Sequence, residues 1–116
     1  MMNATDSSST RRRPSRYALY IVETEQKTLY TGITTDVVRR FDQHCLGSGA
    51  KFLRNKHNLK LVYRSSNFMC GSCAVRVERF VKRRSKAYKL KLINRKADIK
   101  ECIKFTCRRN KCLISF

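Results

Sequence analysis

Acidic residues are scarce in this 116-residue chain: eight Asp and Glu stand against 27 Lys and Arg, a formal net charge of +19. So large an excess repels itself within a compact domain and calls for a polyanionic partner. Nucleic acid is the first candidate, because each neutralised phosphate releases counterions. Long apolar runs are also missing. None approaches the roughly 20 residues of a membrane span, and no strongly amphipathic basic helix offers a continuous apolar face to a lipid surface. No apolar segment follows the N-terminal charges, so no secretory signal is read there. Six cysteines in such a chain are expected as reduced thiols inside a cell, in cytoplasm or nucleus, rather than as a disulfide framework. No internal repeat is visible.

What is present suffices for one domain with one modest core, since 41% of the residues are hydrophobic. Residues 1–16 are polar, rich in Ser and Thr, and end in an arginine run; they are expected to be a disordered basic tail. The run Arg11, Arg12, Arg13 reads either as a nucleic-acid arm or localisation signal, or as a solvated tail. Residues 17–96 form the expected folded domain, and 97–116, with Cys102, Cys107 and Cys112, a C-terminal extension without clear pattern.

The domain is organised around residues 17–32. Two runs of aromatic and β-branched residues, 17–22 and 28–33, flank a polar connection and predict an antiparallel hairpin. Alternation puts Ala18, Tyr20 and Val22 on one face, and Thr28, Tyr30 and Gly32 on one face of the second strand. Folding about Glu25 sets Tyr20 opposite Tyr30. Gly32, lacking a Cβ, permits close approach of backbone or ligand. A helix over 36–46 comes next, with N-cap residues Thr34, Thr35 and Asp36 and Gly47 beyond its end. Val37, Val38, Phe41 and Cys45 make its apolar stripe; Arg40 and His44 share the stripe's edge, while Arg39 and Gln43 point away. A third strand is expected over 58–65, with Leu59, Leu61 and Tyr63 on one face. A second long helix runs over 72–84, with Cys73, Ala74, Val77, Phe80 and Val81 inward and Glu78 just off that edge. Ser85 caps a further helix over 86–96, although Tyr88, Leu90 and Leu92 also alternate like a strand. The fold class is therefore α/β in the α+β sense, a three-stranded antiparallel sheet flanked by helices.

Between Asp42 and Asp98 the only carboxylate is Glu78, among 15 lysines and arginines. It reads either as half of a Glu78–Lys82 pair, worth about 0.2–0.5 kcal/mol on a helix, or as a metal ligand. Cys70-Gly-Ser-Cys73 has the spacing of zinc and redox sites. Cys102, Cys107 and Cys112 could supply further ligands, but Cys73 lies on the core stripe, and ordinary thiols are the preferred reading over a structural zinc.

The two strand triplets, Ala18-Leu-Tyr20 and Tyr30-Thr-Gly32, resemble the paired signature of the GIY-YIG nucleases, with Ala-Leu-Tyr in the first and Thr for Ile in the second. Arg40 stands eight residues past Gly32, His44 one turn later, and Glu78 in a segment similar to the family's glutamate helix. The resemblance covers about residues 17–94 and implies a divalent-metal-dependent DNA endonuclease, acting in repair, recombination or replication. It further implies Tyr20, Tyr30, Arg40, His44 and Glu78 as catalytic residues, with Glu78 holding Mg²⁺ or Mn²⁺. Tyr20 is implied to act as general base or to orient the attacking water, its pKa depressed by Arg40 and the positive field. Asn94 is the candidate for a supporting asparagine. Arg39, Lys51, Arg54 and Lys82 are expected to meet DNA, with RNA left open, and the protein to be monomeric. The alternatives are a non-catalytic nucleic-acid-binding module on the same fold, or a basic accessory protein serving assembly.

Overall fold

A computed structural model describes residues 15–103, 107 and 111–113; the expected tail, apart from its last two residues, lies outside them. Strands β1 (Ala18–Glu23), β2 (Leu29–Thr34) and β3 (Lys60–Arg64) form one antiparallel sheet in the order β2-β1-β3. Helix α1 (Val37–Cys45) and a 3₁₀ turn (Lys51–Leu53) lie between β2 and β3; α2 (Gly71–Lys82), α3 (Lys86–Ile93) and α4 (Lys100–Ile103) complete the chain order. Among the described residues, no helix is long and apolar enough to cross a membrane.

Residues 18–22 of β1 are fully buried. A central strand covered on both faces reads as an unbroken apolar run, and its alternation divides two cores. Ala18, Tyr20 and Val22 face a thin core with Val37 and Leu53; Leu19 and Ile21 face a thick one with Met69, Ala74, Val77, Val81 and Leu92. The catalytic candidates of β1 and α1 belong to the thin side.

The hairpin turns one residue later than a fold about Glu25 requires, which shifts every cross-strand partner by two. Lys27 N–H donates to Thr24 O at 2.9 Å, and Lys27 itself takes a left-handed φ of 70°, a turn plus one left-handed residue. Thr24 and Thr28 also join their hydroxyls. The centre moves to Gln26, so Tyr20 pairs with Gly32 and Val22 with Tyr30. The expectation that the two tyrosines stand directly opposite is thereby corrected; they meet on the diagonal.

Strand β3 is irregular. Ile21 pairs with Tyr63 and Val22 with Leu61, leaving Val62 as an extra residue. Such a bulge reverses the facing of the residues beyond it, so Leu59 packs in the thin core and Tyr63 in the thick one, not on one face.

Asp36 caps α1, its carboxylate accepting from Arg39 N–H. At the other end Gly47 N–H donates to His44 O and Ser48 N–H to Gln43 O, with Gly47 at φ 81°. This is a Schellman ending, in which a left-handed glycine satisfies the last carbonyls. The apolar stripe is turned from its expected position. Val38 is 67% exposed and Cys45 exposed, whereas His44 is buried with Val37. On α2, Phe80 likewise lies outside the buried row of Cys73, Ala74, Val77 and Val81. Segment 86–93 is helical, capped by the Ser85 hydroxyl, and stops short of Lys96 because Arg95 turns left-handed at φ 62°. The extension also joins the core, through buried Ile99 and Ile103.

Thr31 pairs with Ile21 in register, is 3% exposed, and its hydroxyl has no hydrogen-bond partner among the described residues. An unpaired buried hydroxyl costs about 1–3 kcal/mol. Thr31→Val keeps the shape and removes that group, so it should raise the urea midpoint by the equivalent of about 1 kcal/mol with an unchanged m-value. A lowered midpoint would show that the hydroxyl has a partner.

Candidate active site

Tyr20 carries the site from the middle of the sheet. Its phenol lies back over Gly32 across the strand pair; a Cβ placed on Gly32 would sit 2.5 Å from the Tyr20 hydroxyl and 2.7 Å from Cζ. No other side chain leaves that space, which is why the second triplet ends in glycine. The Tyr20 hydroxyl meets His44 Nε2 of α1 at 2.8 Å, and this contact is buried.

The other imidazole nitrogen fixes the direction of that bond. Ala50 N–H, at the start of the 3₁₀ turn, donates to His44 Nδ1 at 3.2 Å. A backbone N–H can only donate, so Nδ1 presents its lone pair and the ring proton of the neutral histidine resides on Nε2. Nε2–H therefore donates to the phenolic oxygen, leaving the Tyr20 O–H free to donate onward. Burial holds the His44 pKa below its usual value, and Arg40 adds to the effect. The ring is thus kept neutral.

Burial also pushes Tyr20 up, to about 12. Tyr30 and Glu78 act in the same direction, and the hydrogen bond and charge of Arg40 only partly oppose them. The expectation that Arg40 and the positive field would depress this pKa is corrected. Desolvation in a nearly inaccessible strand position outweighs one half-buried guanidinium.

Tyr30 gathers the rings. Its centroid lies 6.4 Å from Tyr20, 5.5 Å from His44 in an edge-on arrangement, and 6.1 Å from Phe52 in a stacked one. Arg40 is half-buried and steered by Gln43, whose amide oxygen accepts from Nη1 at 3.0 Å. Glu78 reaches the group from α2, which packs chiefly on β2. Its carboxylate makes the ion pair with Lys82 at 3.3 Å that the helix spacing foresees, and Lys82 Nζ stands 5.9 Å from the Tyr30 ring. Five residues spread over nearly 60 positions thus meet at one edge of the sheet. Asn94 does not join them: it is exposed and forms the C-cap of α3, which packs on β3 at the opposite edge. Arg39, Lys51 and Arg54 are exposed, as is Lys82.

Sequence reasoning misses Gln43, Gly49 and Phe52. Gln43 is expected to point away, yet its place three residues after Arg40 on one helix is the spacing of side-chain partners. Gly47 alone accounts for the helix ending, so a second glycine two residues later is the available signal for Gly49. Its missing Cβ is occupied by the His44 ring. Phe52 is a half-exposed aromatic with Lys56 Nζ 5.2 Å above its ring.

Gly49→Ala forces a methyl into the imidazole and should destabilise the fold by about 1–3 kcal/mol. Gly71→Ala, where the added carbon meets nothing nearer than Tyr17 Cε1 at 3.6 Å, should be neutral or stabilising in a helix. Urea melts of both variants check this; a neutral Gly49→Ala would mean that His44 is not seated against Ala50.

The sequence matches the GIY-YIG catalytic domain over residues 16–94. It is 45% identical over 85 residues to the UPF0213 protein YhbQ of Escherichia coli K12, covering 73% of this chain and 84% of that one. It is 44% identical over 81 residues to a UPF0213 protein from the VLF1-GP41 intergenic region of Autographa californica nuclear polyhedrosis virus, covering 69% and 78%. A solution NMR structure of a UPF0213 protein from Bacillus halodurans is 34% identical, with TM-score 0.45, covering 78% of this chain and 97% of that one. The chain belongs to the GIY-YIG catalytic-domain family of nucleases, as a small member whose matched domain occupies most of its length.

Proposed function

We propose that the protein is a divalent-metal-dependent endonuclease that hydrolyses phosphodiester bonds in DNA, acting as a monomer inside the cell in repair, recombination or replication. The observation that carries this reading is the convergence of the Tyr20–His44 pair, Tyr30 and Arg40 on the flank of Glu78, the sole carboxylate in a long cationic stretch.

Glu78 fits a metal ligand. Its side chain is 23% exposed and its partner Lys82, 49% exposed, is free to turn toward a phosphate. Mg²⁺ is commonly held by one or two carboxylates, substrate phosphate and waters. Bound there, Mg²⁺ or Mn²⁺ would polarise the scissile phosphate and stabilise the leaving oxygen. Arg40, held by Gln43, stabilises charge on the phosphorane-like transition state. Tyr20 is a neutral phenol at pH 7, its oxygen already accepting from His44, so its O–H orients the attacking water or a phosphate oxygen. Ionised Tyr20 as a resting general base is disfavoured by the raised pKa. Tyr30 completes the wall against which the phosphate is set. Arg39, Lys51, Arg54 and Lys82 supply exposed charge along the DNA backbone, and Phe52 offers a ring on which an unpaired base can stack.

The ion pair between Glu78 and Lys82 favours a second reading, a nucleic-acid-binding module without catalysis. Two variants of the full chain separate the readings on supercoiled and flapped DNA with Mg²⁺ or Mn²⁺. Glu78→Gln should lose cleavage by orders of magnitude while keeping DNA affinity and its steep salt dependence. Lys82→Met should cleave near the wild-type rate at saturating DNA. Wild-type cleavage by Glu78→Gln, or none by the parent, would leave the ion pair as the whole role of Glu78.

A further inference from the structure

The C-terminal extension returns to the start of α2, at a place the nuclease reading does not use. Cys70 is the N-cap of α2, and its side chain caps no backbone N–H. Cys73 lies in the first turn, buried at 2% exposure. Cys107 and Cys112 come from the extension, Cys107 N–H donating to Ile103 O at 3.2 Å. Leu113 N–H donates to Phe68 O at 2.7 Å, which ties this strand of chain beside the approach to α2. The four sulfur atoms all lie within 4.8 Å of one another.

We propose that Cys70, Cys73, Cys107 and Cys112 bind one zinc ion as a structural four-thiolate site. The geometry supports metal over disulfide. Cys70 Sγ and Cys112 Sγ are 3.8 Å apart, far beyond the roughly 2.05 Å of a disulfide bond. A tetrahedral ion with Zn–S bonds of about 2.3 Å sets its sulfurs roughly 3.8 Å apart. The spacings also fit, with two residues between Cys70 and Cys73 and four between Cys107 and Cys112. Cys70 N–H donates to Cys112 Sγ at 3.3 Å, a bond that strengthens as the sulfur becomes anionic. Two of the ligands sit at a helix N-terminus, where the dipole favours thiolate.

Binding displaces the remaining thiol protons to solvent and forms four Zn–S bonds, with no change of oxidation state. The site clamps the extension onto the N-terminal end of the helix that carries Glu78. The core stripe of α2 makes Cys73 a core residue with no second pair close by in sequence. In the fold it is both a core residue and a ligand, and the second pair arrives from 34 or more positions later. The side chain of Cys102 lies outside the described residues.

The full chain, produced with Zn²⁺ in the medium and dialysed against metal-free buffer, should retain one zinc per chain by elemental analysis. Co²⁺ exchanged into it should give the visible spectrum of a tetrahedral four-thiolate centre. Glu78→Gln and Cys45→Ser should keep the metal, which separates this site from the proposed catalytic one. The double variant Cys107→Ser, Cys112→Ser should lose it and melt at a lower temperature. Because the first measurement is made on the unaltered protein, it stands even if that variant fails to fold. A metal-free parent with four freely reactive thiols, a Cys70–Cys112 disulfide by mass spectrometry, or zinc retained by the double variant would overturn the proposal.

Discussion

The phenol of Tyr20 lying over Gly32, with His44 Nε2 against its oxygen, is the contact on which the rest of the site depends. It requires a hairpin turned about Gln26, because only that register brings Tyr20 across from the residue without a Cβ. It requires α1 to present His44 rather than Cys45 to the sheet, and a glycine-containing return loop that lets Ala50 N–H reach the far nitrogen. Each condition is local, and each is set by a few residues. Together they place a neutral hydroxyl, its proton directed away from His44, beside Arg40.

Electrostatics then sorts the roles. In a chain of net charge +19, an acidic phenol would be the simple expectation, yet burial pushes Tyr20 up to about 12 and outweighs the nearby guanidinium. The same burial keeps His44 neutral. The site therefore holds two uncharged hydrogen-bonding groups between one guanidinium and one carboxylate. Such an arrangement suits a phosphate, whose charge is met by Arg40 and a cation at Glu78 while the neutral groups direct hydrogen bonds.

Much of this is legible in the sequence, and the reasons are specific. The β1 run, the Asp36 cap and Gly47 are strong local signals, and the sheet and first helix arise from them. Tyr20, Tyr30, Arg40, His44 and Glu78 are singled out by the resemblance to the GIY-YIG signature, whose intervals they match. The unreadable features are set by single-residue backbone choices. A left-handed Lys27 moves the hairpin register, an extra Val62 reverses the facing of β3, and a left-handed Arg95 shortens α3. None of the three is a glycine, so composition gives no warning. Gln43 is misplaced because its partner Arg40 itself reads as an edge residue. The cysteine cluster is hidden by distance along the chain, since Cys70 and Cys112 are joined only when the extension closes on α2.

The direction of the His44–Tyr20 hydrogen bond is the central claim, and nitrogen NMR of the histidine rings reads it directly. The chain has two histidines, of which His57 is exposed and His44 buried. At neutral pH, long-range ¹H–¹⁵N correlation should show His44 with a protonated, pyrrole-type Nε2 and an unprotonated Nδ1. A neutral ring with its proton on Nδ1 would contradict the account, because Nε2 would then accept the Tyr20 proton; an imidazolium at neutral pH would contradict it as well.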